Sequence, residues 1–188
     1  MQQSAPMFRW LSIVILFTAL GRADADPERA FELGARLGFQ STSLNFSDDA
    51  AQGIGPWVDV SAGTYFKPWL TASLCGAYSS IHDTVEDPFS TKTHEDTVRF
   101  VDVGARVLLR HRSVLAGLGL AWQNVFTSGG NGSFHDSGRL TTLHVGYTFA
   151  RMHALGGGAI QVMGIAGTAT TPGGHSITTL RLGAGIEF

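Results

Sequence analysis

The groups able to do chemistry in this chain of 188 residues are seven histidines, fifteen carboxylates and one thiol. Spacing decides what they can do together. A base and a nucleophile on one strand must sit two residues apart, because positions i and i+2 share a face and can hydrogen-bond. His144 has Gly146 at that distance, with no hydroxyl to activate, and His175 is followed directly by Ser176, which turns to the opposite face of an extended chain. No catalytic residue is assigned. His82, His94, His135 and His175 stand among Asp48, Asp49, Asp83, Glu86, Asp87, Glu95, Asp96 and Asp136, residue types that ligate metals. None has the close spacing of a ligand pair, so no metal and no cofactor residue is assigned, and they read as polar residues of solvated loops. His144 reads as an interior histidine hydrogen-bonded to Thr or Asp. Cys75 is the only cysteine, which excludes an intrachain disulfide; it reads as a small residue on a strand. A formal net charge of −2 without a clustered basic face excludes nucleic acid.

These groups are positioned by strands. Leu180 to Phe188 puts an apolar side chain at every second position, with Arg181, Gly183, Gly185 and Glu187 between. Strict alternation marks a strand whose two faces meet different media. Similar runs occur at Phe31 to Gln40, Trp57 to Phe66, Trp69 to Tyr78, Val98 to Arg110, Val114 to Phe126 and Leu140 to Phe149, and a glycine-rich one of ambiguous facing lies near Ala154 to Thr168. About eight strands are expected, each close to the 9 to 11 residues that cross a membrane as a tilted β-strand. Short links at Lys67-Pro68, Arg110 to Ser113 and Arg151 to His153 alternate with longer polar segments at Ser41 to Pro56, Ser79 to Thr97, Thr127 to Arg139 and Ala169 to Ser176. Aromatic residues collect at the strand ends. Phe31, Phe66, Trp69, Tyr147, Phe149 and Phe188 map to the turn end and Phe39, Tyr78, Trp122 and Phe126 to the loop end, where ring side chains form interfacial girdles.

Residues 1–25 read as a secretory signal peptide: Arg9, a short apolar run from Leu11 to Leu20, and the small-x-small site Ala23-Asp24-Ala25. That run is half the roughly 20 residues of a helical span. Residues 26–188 are then one domain. Because lipid leaves no partner for an unpaired backbone edge, the sheet must close. An eight-stranded cylinder is filled by its own side chains. The inward set contains Glu32, Arg36, Asp59, Asp102, Arg106, Gln123, His144, Arg181 and Glu187, charges of both signs that can pair across a narrow lumen as a polar plug. The many glycines inside strands are expected where the opposite wall packs closely. A soluble ligand-binding barrel is the structural rival, but it would put its apolar face inside.

Signal peptide, alternating strands, long loops and terminal Phe188 together resemble the small outer-membrane β-barrel group that includes the OmpA transmembrane domain and OmpX. The resemblance implies an all-β, closed antiparallel up-and-down transmembrane β-barrel with external loops and short periplasmic turns. It also implies residence in the bacterial outer membrane after export, among outer-membrane lipid and lipopolysaccharide, and insertion by the barrel-assembly machinery, which reads a C-terminal strand ending in Phe. Acidic loops that share divalent cations with lipopolysaccharide phosphates are one expected contact. A non-enzymatic structural or surface-interaction role follows. The alternatives are a narrow channel for small solutes or ions and a lipid A modifying enzyme. The lipid A deacylases resemble the chain in size but use a His-x-Ser pair that His144 and His175 do not supply.

Overall fold

The computed structural model describes residues 31–45, 50–86, 93–129, 132–152, 158–172, 174 and 176–188. The expected signal peptide, residues 1–25, lies outside them. Eight strands follow one another: β1 (Phe31–Asn45), β2 (Ala50–Lys67), β3 (Leu70–Glu86), β4 (Thr93–His111), β5 (Val114–Gly129), β6 (Gly132–Met152), β7 (Gly158–Thr170) and β8 (Ser176–Glu187). Each pairs antiparallel with the next, and β1 pairs with β8 from Gly34↔Glu187 to Asn45↔Ser176, closing the cylinder. Reciprocal bonds between Leu33 and Phe188, at 3.0 and 2.8 Å, finish the seam at the turn end.

The alternation works as two separate surfaces. Leu33, Leu37, Val60, Val103, Leu118, Val145 and Leu182 face outward and are exposed, Leu37 to 72 %, whereas Glu32, Gln40 and Gln123 are wholly enclosed. Outward apolar positions run over residues 31–39 on β1, 101–109 on β4, 114–122 on β5, and from Leu180 on β8 to Phe188 just past its end. Nine residues rising about 3.3 Å each, tilted by about 40°, make a band roughly 23 Å tall, close to the ~25 Å of an outer-membrane barrel.

The strands are longer than the alternation of apolar-out residues predicts. The segments expected as loops at Ser41 to Pro56, Ser79 to Thr97 and Thr127 to Arg139 are largely strand, with pairing continuing to Glu86↔Thr93 and Gly129↔Gly132, whereas in Ala169 to Ser176 the strands take only the two ends, β7 stopping at Thr170 and β8 starting at Ser176. His82, His135 and Arg139 therefore lie on sheet rather than in loops; Asp48, Asp49, Asp87, Lys92 and His175 fall outside the described residues. The cause is a reversal of facing. Above the apolar band the outward side carries Ser41, Arg99, Arg139, Thr168 and Thr178, while Ile81, Val98, Phe100, Val125, Leu140, Ala169 and Ile177 point inward and pack together. The parity of the strand never breaks; only the medium outside changes.

At the other end, the turns are short. Trp69, expected on the third strand, sits in the Pro68-Trp69 turn and is half exposed. Arg112 takes φ 54 in the next turn. Bulges between Tyr65 and Lys67 and between Thr148 and Ala150 shift the register close to these turns. On β7, whose facing the glycines obscured, Gln161, Met163, Ile165, Gly167 and Ala169 point inward.

Candidate functional site

The interior is where the charged side chains meet, so it is the candidate site. Every residue of the expected inward set is buried, from Glu32 and Gln123 to Asp102 and His144. Toward the turn end, Arg36 donates from Nη1 to Asp59 Oδ1 at 2.6 Å, and Arg106 donates from Nη1 to the same oxygen at 3.1 Å and from Nε to Ser73 Oγ at 3.2 Å. Glu32 Oε1 lies 3.7 Å from Arg106 Nη2, a Coulombic contact longer than a hydrogen bond. Glu187 collects three donors: Tyr65 Oη at 2.6 Å, Gln161 Nε2 at 2.6 Å, and Arg110. Higher up, Arg181 pairs with Asp102, donates from Nε to Gln40 Oε1 at 2.6 Å, and lies 5.9 Å from the Trp57 ring centroid. Gln40 passes the chain on to Thr42 at 2.7 Å.

Four arginines, Arg36, Arg106, Arg110 and Arg181, thus face four carboxylates, Glu32, Asp59, Asp102 and Glu187. The charges balance, and shared hydrogen bonds offset the cost of taking Asp59, Asp102, Glu187 and the arginines out of water, whereas Glu32 has only the Coulombic contact with Arg106. Arg110 is a correction: expected in a periplasmic turn, it is the penultimate residue of β4 and reaches back into the barrel, because Glu187 on β8 and the Tyr65 hydroxyl offer it partners there. Gln40 and Gln161 were missed as network members. Parity alone would have placed both inward, Gln40 at the end of the first expected strand and Gln161 within the glycine-rich one.

The plug is also less polar than expected. Trp57, Leu108, Leu115, Met163 and Ile165 form a second apolar cluster in the interior. Glycines make room for it and for the polar groups: a Cβ at Gly183 would press on the Trp57 ring, and one at Gly119 would lie 2.9 Å from His144 Nε2. His144 is bonded to Thr142 Oγ1 at 2.8 Å, as an interior histidine with a threonine neighbour. Beside it is a cavity of ≈ 30 Å³ lined by Asp59, Cys75, Asp102, Thr142, His144 and Arg181 among others, room for about one water molecule. Among the described residues no group of three His, Cys, Asp or Glu is arranged to hold a metal ion.

No protein-family model and no curated protein sequence matches the chain. Solved structures do. Ail, the attachment invasion locus protein of Yersinia pestis, crystallised with the heparin analogue sucrose octasulfate, superposes with a TM-score of 0.55 at 15 % identity, covering 85 % of this chain and 99 % of Ail. Neisserial surface protein A (NspA) gives 0.52 at 14 % identity, covering 84 % and 95 %. The fold is that of the small outer-membrane β-barrels. At such identity the likeness is one of backbone.

Proposed function

We propose that the chain is an integral outer-membrane barrel, exported with a cleaved signal peptide at residues 1–25, that performs no chemistry in its lumen. It contributes to envelope integrity or presents the ends of its hairpins at the cell surface. The observation that carries this reading is the filled interior: a charge-balanced network, two apolar clusters, and a cavity sized for about one water. A lipid or sugar cannot enter such a space, and hydrated ions cannot pass it. The outer cluster from Ile81 to Ile177 supports a seal at the loop end, where the network itself stops. Strands that continue past the apolar band give the surface hairpins a sheet framework, which suits a binding platform better than free loops would.

The test of closure is planar-bilayer recording from the purified protein. No steady conductance is expected; a stable open level would favour the channel alternative. For the enzyme alternative, mass spectrometry of lipid A with and without the gene is expected to show identical acyl chains.

A further inference from the structure

The outward face is not uniform where it leaves the apolar band. On β7, β8 and β1 the exposed positions at that level are Thr168, Thr178 and Ser41, all uncharged. On β4 to β6 that level also carries basic and aromatic side chains, Arg99, Trp122, Phe126, His135 and Arg139, with Asn124 and Thr141 between them. Register places Arg99 beside Phe126 and Phe126 beside His135, in one row across three strands, and Arg139 beside Trp122. Phe126 and His135 stack with ring centroids 4.6 Å apart. Arg99 and Arg139 are exposed, and neither meets a carboxylate among the described residues. Arg99 stands two residues beyond Val101, the end of the apolar run on β4, and Arg139 four beyond Leu143, its end on β6.

We infer that this sector, with Arg99 and Arg139 as its anchors, binds the phosphorylated headgroup of an outer-leaflet glycolipid. Long arginine side chains at the edge of a lipid band keep their stems on apolar surface and lift the guanidinium to headgroup level. There the fork of N–H donors matches phosphate oxygens with two parallel charge-assisted bonds. Arg99 shares its row with His135, four residues from Arg139 along β6, so about 10 Å across two strands and about 13 Å along the strand put the two Cα atoms roughly 16 Å apart, and the two long side chains can reach different parts of one headgroup. Phe126 and Trp122 lie beside them as interfacial rings on which sugar faces and the upper acyl chains rest. The contact differs from cation sharing by acidic loops: the protein itself supplies the positive charge.

The inference rests on the outer-membrane reading, with the loop end outward, and is tested separately from it. The folded protein in detergent is titrated with diphosphoryl lipid A and with its dephosphorylated form, and binding is followed by native mass spectrometry. The wild type is expected to hold the diphosphoryl form at least about tenfold more tightly. Arg99→Gln with Arg139→Gln brings the two forms within about twofold of each other, whereas Arg99→Lys with Arg139→Lys keeps most of the preference. Arg112→Gln, at the turn end, changes nothing. Equal wild-type affinity for the two forms overturns the inference whether or not the variants fold, and so does a preference that survives the glutamine pair. Either result leaves the membrane placement standing if the protein still inserts into vesicles as a β-rich barrel.

Discussion

Replacing Arg106 with methionine tests the internal network at its largest fully buried member. The Arg106 side chain is fully buried and serves Asp59, Ser73 and Glu32. Methionine keeps most of the bulk but removes the charge and every donor. Asp59 retains Arg36 at 2.6 Å, so the loss falls mainly on Glu32, whose carboxylate has Arg106 as its ion-pair partner at 3.7 Å. Removing one member of a buried pair costs about 3–5 kcal/mol, because the other charge is left without compensation. The surviving Arg36–Asp59 pair puts Arg106→Met near the lower end, about 3 kcal/mol, or roughly a hundredfold in the folding equilibrium. Adding Glu32→Gln removes the orphaned charge and is expected to restore about 1–2 kcal/mol, a coupling typical of residues in one network. Reversible urea unfolding in lipid vesicles, followed by tryptophan emission, measures both. A single variant within about 0.5 kcal/mol of wild type, or a double variant whose losses simply add, refutes the assignment of the ion network as the interior's structural element.

Three further outcomes follow from the same geometry. Leu118→Arg, at the centre of the outward run on β5, is expected to cost about 2–4 kcal/mol in vesicle unfolding, whereas Ser128→Arg, beyond that run on the same face, costs about 0–1. Phe100→Ala opens the outer apolar cluster, in which Phe100 is wholly buried, and is expected to destabilise by about 3–5 kcal/mol; in bilayers it is the substitution expected to admit small ions. Gly119→Leu drives a side chain into Thr142 and His144 and costs at least about 1–3 kcal/mol by overpacking, with no change in bilayer current because no flux exists to block.

What the amino-acid order made legible was the sidedness of the membrane band. Leu180 to Phe188 alternates without interruption and Val101 to Leu109 does so up to Leu108, so the opposite parity had to face the lumen, and Glu32, Arg36, Asp59, Asp102, Arg106, Arg181 and Glu187 are all there. The rule that made this visible, apolar outward and polar inward, is also what hid the rest. Beyond Tyr78 or Thr168 the outside is no longer lipid, so Ile81 and Ala169 read as strays in a polar loop when they are core residues of a continuing strand. On β7, Gly164, Ala166 and Gly167 have too little side chain to announce a face. Arg110 was out of reach for another reason: its place depends on Glu187 and Tyr65, which come from other strands and meet it only once the cylinder closes. The basic sector of Arg99 and Arg139 likewise appears only when register sets β4 and β6 on either side of Phe126 and Trp122.

The central claim is that outward residues of each strand touch lipid over a band with two sharp ends. Nitroxide labels placed one at a time on the odd positions of β4, in a Cys75→Ala background, test it directly through collision with oxygen, which concentrates in lipid, and with a water-soluble nickel chelate. Labels from Val101 to Leu109 are expected to meet oxygen and exclude nickel, with the preference reversing at Arg99 above and His111 below. Nickel access at the positions between Val101 and Leu109 would contradict a lipid-facing band and with it the barrel's place in the membrane.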